Sequence, residues 1–133
     1  MFRWMRGHRM LLAIALVLAF AVACATSPLG KAVQVAHVQK QLVEASAVEF
    51  VKLHLQGTVP DDKYVAGKDA YTKWAKGELA VAKSLADWKR LGDADSAKRL
   101  SEALRLSGEL FRAWVDAVGQ FVDLQALRAK IGG

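Results

Sequence analysis

A single cysteine, Cys24, stands in the 133-residue chain, so no internal disulfide can form and no cysteine-rich metal site can be built. Histidines number three. His8 lies in the N-terminal segment, while His37 and His54 are 17 residues apart, which leaves them about 100° out of alignment on a helix. They cannot form a helical metal pair, and neither an HExxH nor an EF-hand pattern is present. No metal or cofactor is expected. Glycines are never gathered into a phosphate loop: Gly67, Gly77, Gly108 and Gly119 stand singly within helical patterns, where they are expected to allow helices to approach closely. No serine sits in a GxSxG context, so no enzyme is expected. Proline is nearly absent too, with Pro60 the only one after residue 30, and long helices are free to form.

What is present begins with an export signal. Arg3, Arg6 and Arg9 precede an uncharged stretch, Met10 to Ala23, that ends in small residues around Val22. Its 14 residues span roughly 21 Å as a helix, short of the roughly 30 Å hydrocarbon core of a bilayer. A cleaved signal over residues 1–23 fits better than a permanent span, although Cys24 to Gly30 are also uncharged and would extend an uncleaved segment to Gly30.

The run Ala21-Val22-Ala23-Cys24 resembles the lipobox of bacterial lipoproteins, with Ala21 standing where leucine is commonest. The resemblance covers only residues 1 to about 25 and implies that Cys24 becomes the lipidated N-terminus of the mature protein. It implies no particular family beyond that class. The same residues satisfy the small-x-small rule of ordinary signal peptidase, which would leave Cys24 as a free thiol. A lone thiol in an oxidising compartment needs a purpose, and lipidation supplies one. Several acyl chains at about 0.8 kcal/mol per buried methylene make a stable anchor. By the same resemblance, Ala25 after the cysteine, in place of aspartate, implies the outer membrane of a Gram-negative cell, facing the periplasm.

Removal of residues 1–23 leaves 110 residues, enough for one small domain with one core. The formal charge of +6 falls to +3 once the three signal arginines are gone. Mild, dispersed positive charge on an exported chain argues against nucleic-acid binding and allows weak attraction to anionic headgroups.

A tether over residues 24–30 leads to a domain over residues 31–133 that divides at its turn residues into three helical patterns. The first, about 31–56, carries Val35, Val38, Leu42, Ser46, Phe50 and Leu53 on one face. Gly57-Thr58-Val59-Pro60 ends it, and Asp61 and Asp62 open the second, about 61–91, with Tyr64, Tyr71, Trp74, Val81, Leu85 and Trp88 on its apolar face. Lys76, Lys83 and Arg90 mark the opposite side, read as a solvated face with membrane-surface contact as the sharper alternative. After Gly92, the third pattern runs from about 95 to 130, with stripes led by Leu100, Trp114 and Val118 and by Leu106, Leu110 and Leu124. Charges at Glu102, Arg105, Glu109, Arg112 and Asp116 alternate along its narrow polar face. Short turns between long amphipathic helices predict an all-α fold, an up-down-up antiparallel three-helix bundle.

Two features of this bundle have both a functional and a structural reading. Glu78 projects into the apolar face between Tyr71, Trp74, Ala82 and Leu85, a costly place for an unpaired carboxylate. It is a candidate buried acid, either contacting a ligand or paired with a cation of a neighbouring helix; His54 is the candidate partner. Trp74, Trp88 and Trp114 read first as core and second as the lining of a groove. The resulting expectation is a small envelope lipoprotein acting as a non-catalytic structural or protein-interaction module, with the membrane and an envelope protein as partners and no inference about oligomeric state. The alternative is a lipid- or small-molecule-binding bundle in the periplasm.

Overall fold

A computed structural model describes residues 27–132 and shows four helices there: α1, Pro28–Leu55; α2, Asp61–Leu91; α3, Ala94–Val118; and α4, Leu124–Gly132. Val35–Gly133 forms one compact unit, which holds the hydrophobic core. No helix among the described residues is long and apolar enough to cross a membrane.

Each helix ends where local chemistry dictates. Ser27 Oγ accepts the Gly30 N–H at 3.0 Å, and Pro28 occupies the first helical position, where a missing N–H costs nothing. α1 therefore begins three residues before Lys31. At its other end Gly57 adopts φ +81°, the Thr58 N–H reaches back to Leu53 O at 2.9 Å and the Gly57 N–H to His54 O at 3.0 Å. These are the paired bonds of a Schellman cap, which satisfy carbonyls the helix leaves open. α2 opens at Pro60 with Asp61 and Asp62 in the first turn, and closes on Gly92 at φ +63°. Asp93 caps α3, its Oδ1 accepting the Ser96 N–H at 2.8 Å while Ser96 Oγ donates to the Asp93 carbonyl. This hydrogen bonding, with Arg99 nearby, holds the Asp93 carboxyl below its ordinary value of 3.8.

The three-helix architecture is overturned here: the described residues are all-α with four helices, because the third pattern breaks between Val118 and Leu124. Gly119, a poor helix former, bonds Val115 O at 2.7 Å as the C-cap, and the Phe121 and Val122 N–H groups both turn back to Val118 O, at 2.9 and 3.0 Å. Asp123 then restarts the chain as a side-chain cap, its Oδ1 accepting the Ala126 N–H at 3.0 Å. The break lets Val122 sit in the core, with Phe121, Leu124 and Leu127 packed against it. Burial of these side chains favours the bend over a straight continuation.

α2 and α3 run antiparallel, with their backbones within 8 Å of one another along the pair. Small residues permit this approach: Gly77 faces Leu110, and Ser107, 1% exposed, faces Glu78. Leu100 and Val81 are buried on this pair. α1 joins through Val43 and Phe50, which meet Trp74, Trp114 and Val118 in one cluster. Its inner face is rotated from the expected one, since Ala36 and Val43 are buried whereas Val35 is 55% and Val38 43% exposed. On α3 the charged face forms a ladder, with Arg105 bonded to Glu102 at 2.5 Å and to Glu109 at 2.6 Å. Hydrogen bonds from Arg105 draw the Glu102 carboxyl below its usual range.

Candidate functional site

An apolar groove of about 390 Å³ opens between α1 and α2. Val48 and Val51 of α1 form one wall, and Tyr64 and Tyr71 of α2, seven residues apart and so on one helical face, form the other. Trp114 from α3 lies at its base, 1% exposed. Val48 is 71% exposed, so the groove is open to solvent along α1. Lys68, four residues after Tyr64 and three before Tyr71, is the single charged residue of the lining.

The groove exists because aromatic rings fix the spacing of α1. Phe50 stacks on Tyr64 at 5.8 Å between centroids and meets Trp114 edge-on at the same distance. The Phe50 ring enters α2 at Gly67, where an added Cβ would lie 2.6 Å from Cζ and closer still to Cε1. Any larger residue would push the ring out. His54 lies flat on Tyr64, with centroids 3.8 Å apart and an angle of 3°, and donates through Nδ1 to the Val59 carbonyl at 3.0 Å. Tyr71 packs against both Trp74 and Trp114. Rings from three helices thus touch in series in the lining, Tyr64 to Phe50 to Trp114 to Tyr71.

A buried polar link locks the base. The Trp114 indole N–H donates to Ser46 Oγ at 2.9 Å, and Ser46 Oγ donates in turn to the Leu42 carbonyl at 2.6 Å. Ser46 is fully buried, so this bond ties α3 to α1 in a low-dielectric setting where its geometry matters most. Trp74 Nε1 is buried with no hydrogen-bond partner among the described residues.

Of the residues singled out in the sequence, Cys24 lies outside the described residues, as does the signal segment 1–23. Glu78 is half-buried and accepts a hydrogen bond from Ser107 Oγ at 2.7 Å; no ion pair reaches it among the described residues. His54 is engaged at the α1–α2 turn instead, where its Nε2 lies 3.7 Å from Asp61. Glu78 is not part of the groove lining. Among the tryptophans, Trp74 and Trp114 are buried, Trp88 is half-buried, and only Trp114 touches the groove. Among the described residues no group of three or more His, Cys, Asp or Glu side chains is arranged to hold a metal ion.

Lys68 escaped the sequence reading. Its signal is present in the sequence, a lysine at the spacing that puts it between two tyrosines on an apolar face. Val48 and Val51 carried no such signal, since their exposure depends on how α1 is rotated. No family model, curated protein or solved structure matches the chain.

Proposed function

We propose that the chain is a small bacterial envelope lipoprotein, anchored through Cys24, whose helical domain is a non-catalytic module that binds a small apolar molecule. The anchor rests on Ala21-Val22-Ala23-Cys24 behind a basic and then apolar segment. In a Gram-negative cell, Ala25 after the cysteine directs it to the outer membrane, facing the periplasm. The observation that carries the binding role is the solvent-open apolar groove between α1 and α2. Its volume of about 390 Å³ lies in the range of small-molecule pockets, roughly 300–1,000 Å³. A stable polypeptide partner needs about 800 Å² of surface from each side, more than the eight lining side chains of the groove offer. Concavity therefore favours a small ligand over the protein-interaction role.

Two mass measurements test this. The mature protein from membranes should begin at Cys24 and carry acyl mass, and Cys24→Ser should leave the precursor unprocessed; an unmodified mature mass rules out the anchor. Native mass spectrometry of the detergent-released protein should show a retained apolar adduct. Loss of that adduct in Val48→Glu, with the helical content unchanged, ties it to the groove.

A further inference from the structure

The chemistry of the groove specifies more than an apolar occupant. Its walls and base are hydrocarbon and aromatic, and a single cation, Lys68, stands on the α2 side between Tyr64 and Tyr71. Among the described residues no carboxylate lies within ion-pair distance of Lys68, although Lys73 pairs with Asp69 and Arg90 with Asp87 on the same helix. The hydroxyls of Tyr64 and Tyr71 likewise have no hydrogen-bond partner among the described residues. A lysine stem can lie along an apolar wall while its ammonium stays at the water edge, so one end of the groove's lining is apolar and its border offers one positive charge.

We propose that the groove holds the acyl chain of a long-chain fatty acid, with the carboxylate at the Lys68 ammonium. The inference rests on reading the groove as a small-molecule site and adds the identity of the ligand class. Size favours one chain over two: about 390 Å³ lies at the lower end of the roughly 300–1,000 Å³ of small-molecule pockets, and the open edge along α1 leaves room for part of a single long chain to stay outside. Charge favours an acid over a neutral alcohol or alkane, because the solvent-exposed Lys68 ammonium makes a charge-assisted bond with a carboxylate, a weaker one with a hydroxyl and none with an alkane. The aromatic rings of Tyr71 and Trp114 give the chain a rigid surface that need not be ordered on binding.

The test uses the full-length chain in bacterial membranes, labelled with a palmitic-acid probe bearing a diazirine and, in parallel, with the matching hexadecanol probe. Adducts are mapped by peptide mass spectrometry. The acid should label Val48, Val51 or Tyr71, and Lys68→Met should reduce acid labelling about fivefold, the worth of one solvent-accessible ion pair. Alcohol labelling should be weaker and unchanged by Lys68→Met, and Lys68→Arg should keep the acid signal. Protease resistance of the helical domain reports whether each variant is folded. Equal labelling by acid and alcohol, insensitive to Lys68→Met, overturns the fatty-acid assignment and leaves a nonselective apolar site standing. If neither probe labels the groove, the small-molecule reading falls with it. A benzoylphenylalanine at Val48 that captures a polypeptide in place of lipid also overturns the assignment.

Discussion

α2 meets α3 and α1 in two different ways. Against α3 it uses small residues: Gly77 lets Leu110 in, Ser107 leaves room for Glu78, and the backbones lie within 8 Å along the pair. Against α1 it uses rings, with Tyr64 stacked on Phe50 and on His54. Small residues let two helices close until little remains between them; rings act as spacers, and rigid spacers leave crevices at their edges. The groove lies on the spaced side for that reason. The groove and the close-packed contact thus occupy neighbouring faces of one helix.

The most severe way to break this contrast is to remove a spacer. Trp114→Ala should destabilise the domain by about 3–5 kcal/mol, since the ring is fully buried and its loss also removes the bond to Ser46. Urea unfolding read by circular dichroism measures this. A change below about 1 kcal/mol would mean that the ring neither supports α1 nor floors the groove.

Glycine substitutions sharpen the comparison, because the two glycines of α2 face different obstacles. At Gly67 a new Cβ meets the Phe50 ring, which is held by Tyr64 and Trp114 and cannot move aside. Gly67→Ala should cost about 1–3 kcal/mol and open the α1 side. At Gly77 the obstacle is one methyl of Leu110, 2.6 Å away, at the tip of a flexible side chain. The helix gains about 0.5–1 kcal/mol on losing a glycine, so Gly77→Ala should stay within about 1 kcal/mol of the parent. Equal costs at the two sites would remove the distinction between the interfaces.

Glu78→Gln is a finer probe of the close-packed side. The amide oxygen can still accept from Ser107, so the change loses only the charge on one hydrogen bond, about 0.5–1 kcal/mol. Labelling of the groove by an apolar probe should not change, as Glu78 is outside its lining. Binding lost with thermal stability intact would instead make Glu78 a ligand contact.

The smallest effect is expected at the α2–α3 turn. Hydrogen bonds from Ser96 lower the Asp93 carboxyl below 3.8, so its cap contributes stability above the unfolded value, and that contribution is lost as pH falls through the depressed folded value. Asp93→Asn should flatten the fall of the urea midpoint below about pH 4 while leaving a cap in place. An unchanged acid limb would assign the pH dependence to other carboxylates.

The features legible from the residues alone are local. Amphipathic spacing made the described domain all-α, the left-handed residues Gly57 and Gly92 ended two helices, and acids opened the following ones, Asp61 and Asp62 in the first turn of α2 and Asp93 as the cap of α3, because each depends on neighbours within a few residues. Even the break after Val118 had its local signs in Gly119 and Asp123, but the long stripe of apolar residues from Leu100 to Leu127 masked them. Only the packed structure decided that this stripe folds back as α4, since a helix and a turn bury nearly the same side chains until a core is there to receive them. Packing likewise rotated α1 to expose Val35 and Val38, matched Phe50 to Gly67, gave Glu78 to Ser107 and left Lys68 beside an open groove. Those outcomes depend on which side chains meet across helices far apart in the chain, and helical periodicity fixes the face of a residue without naming what it faces.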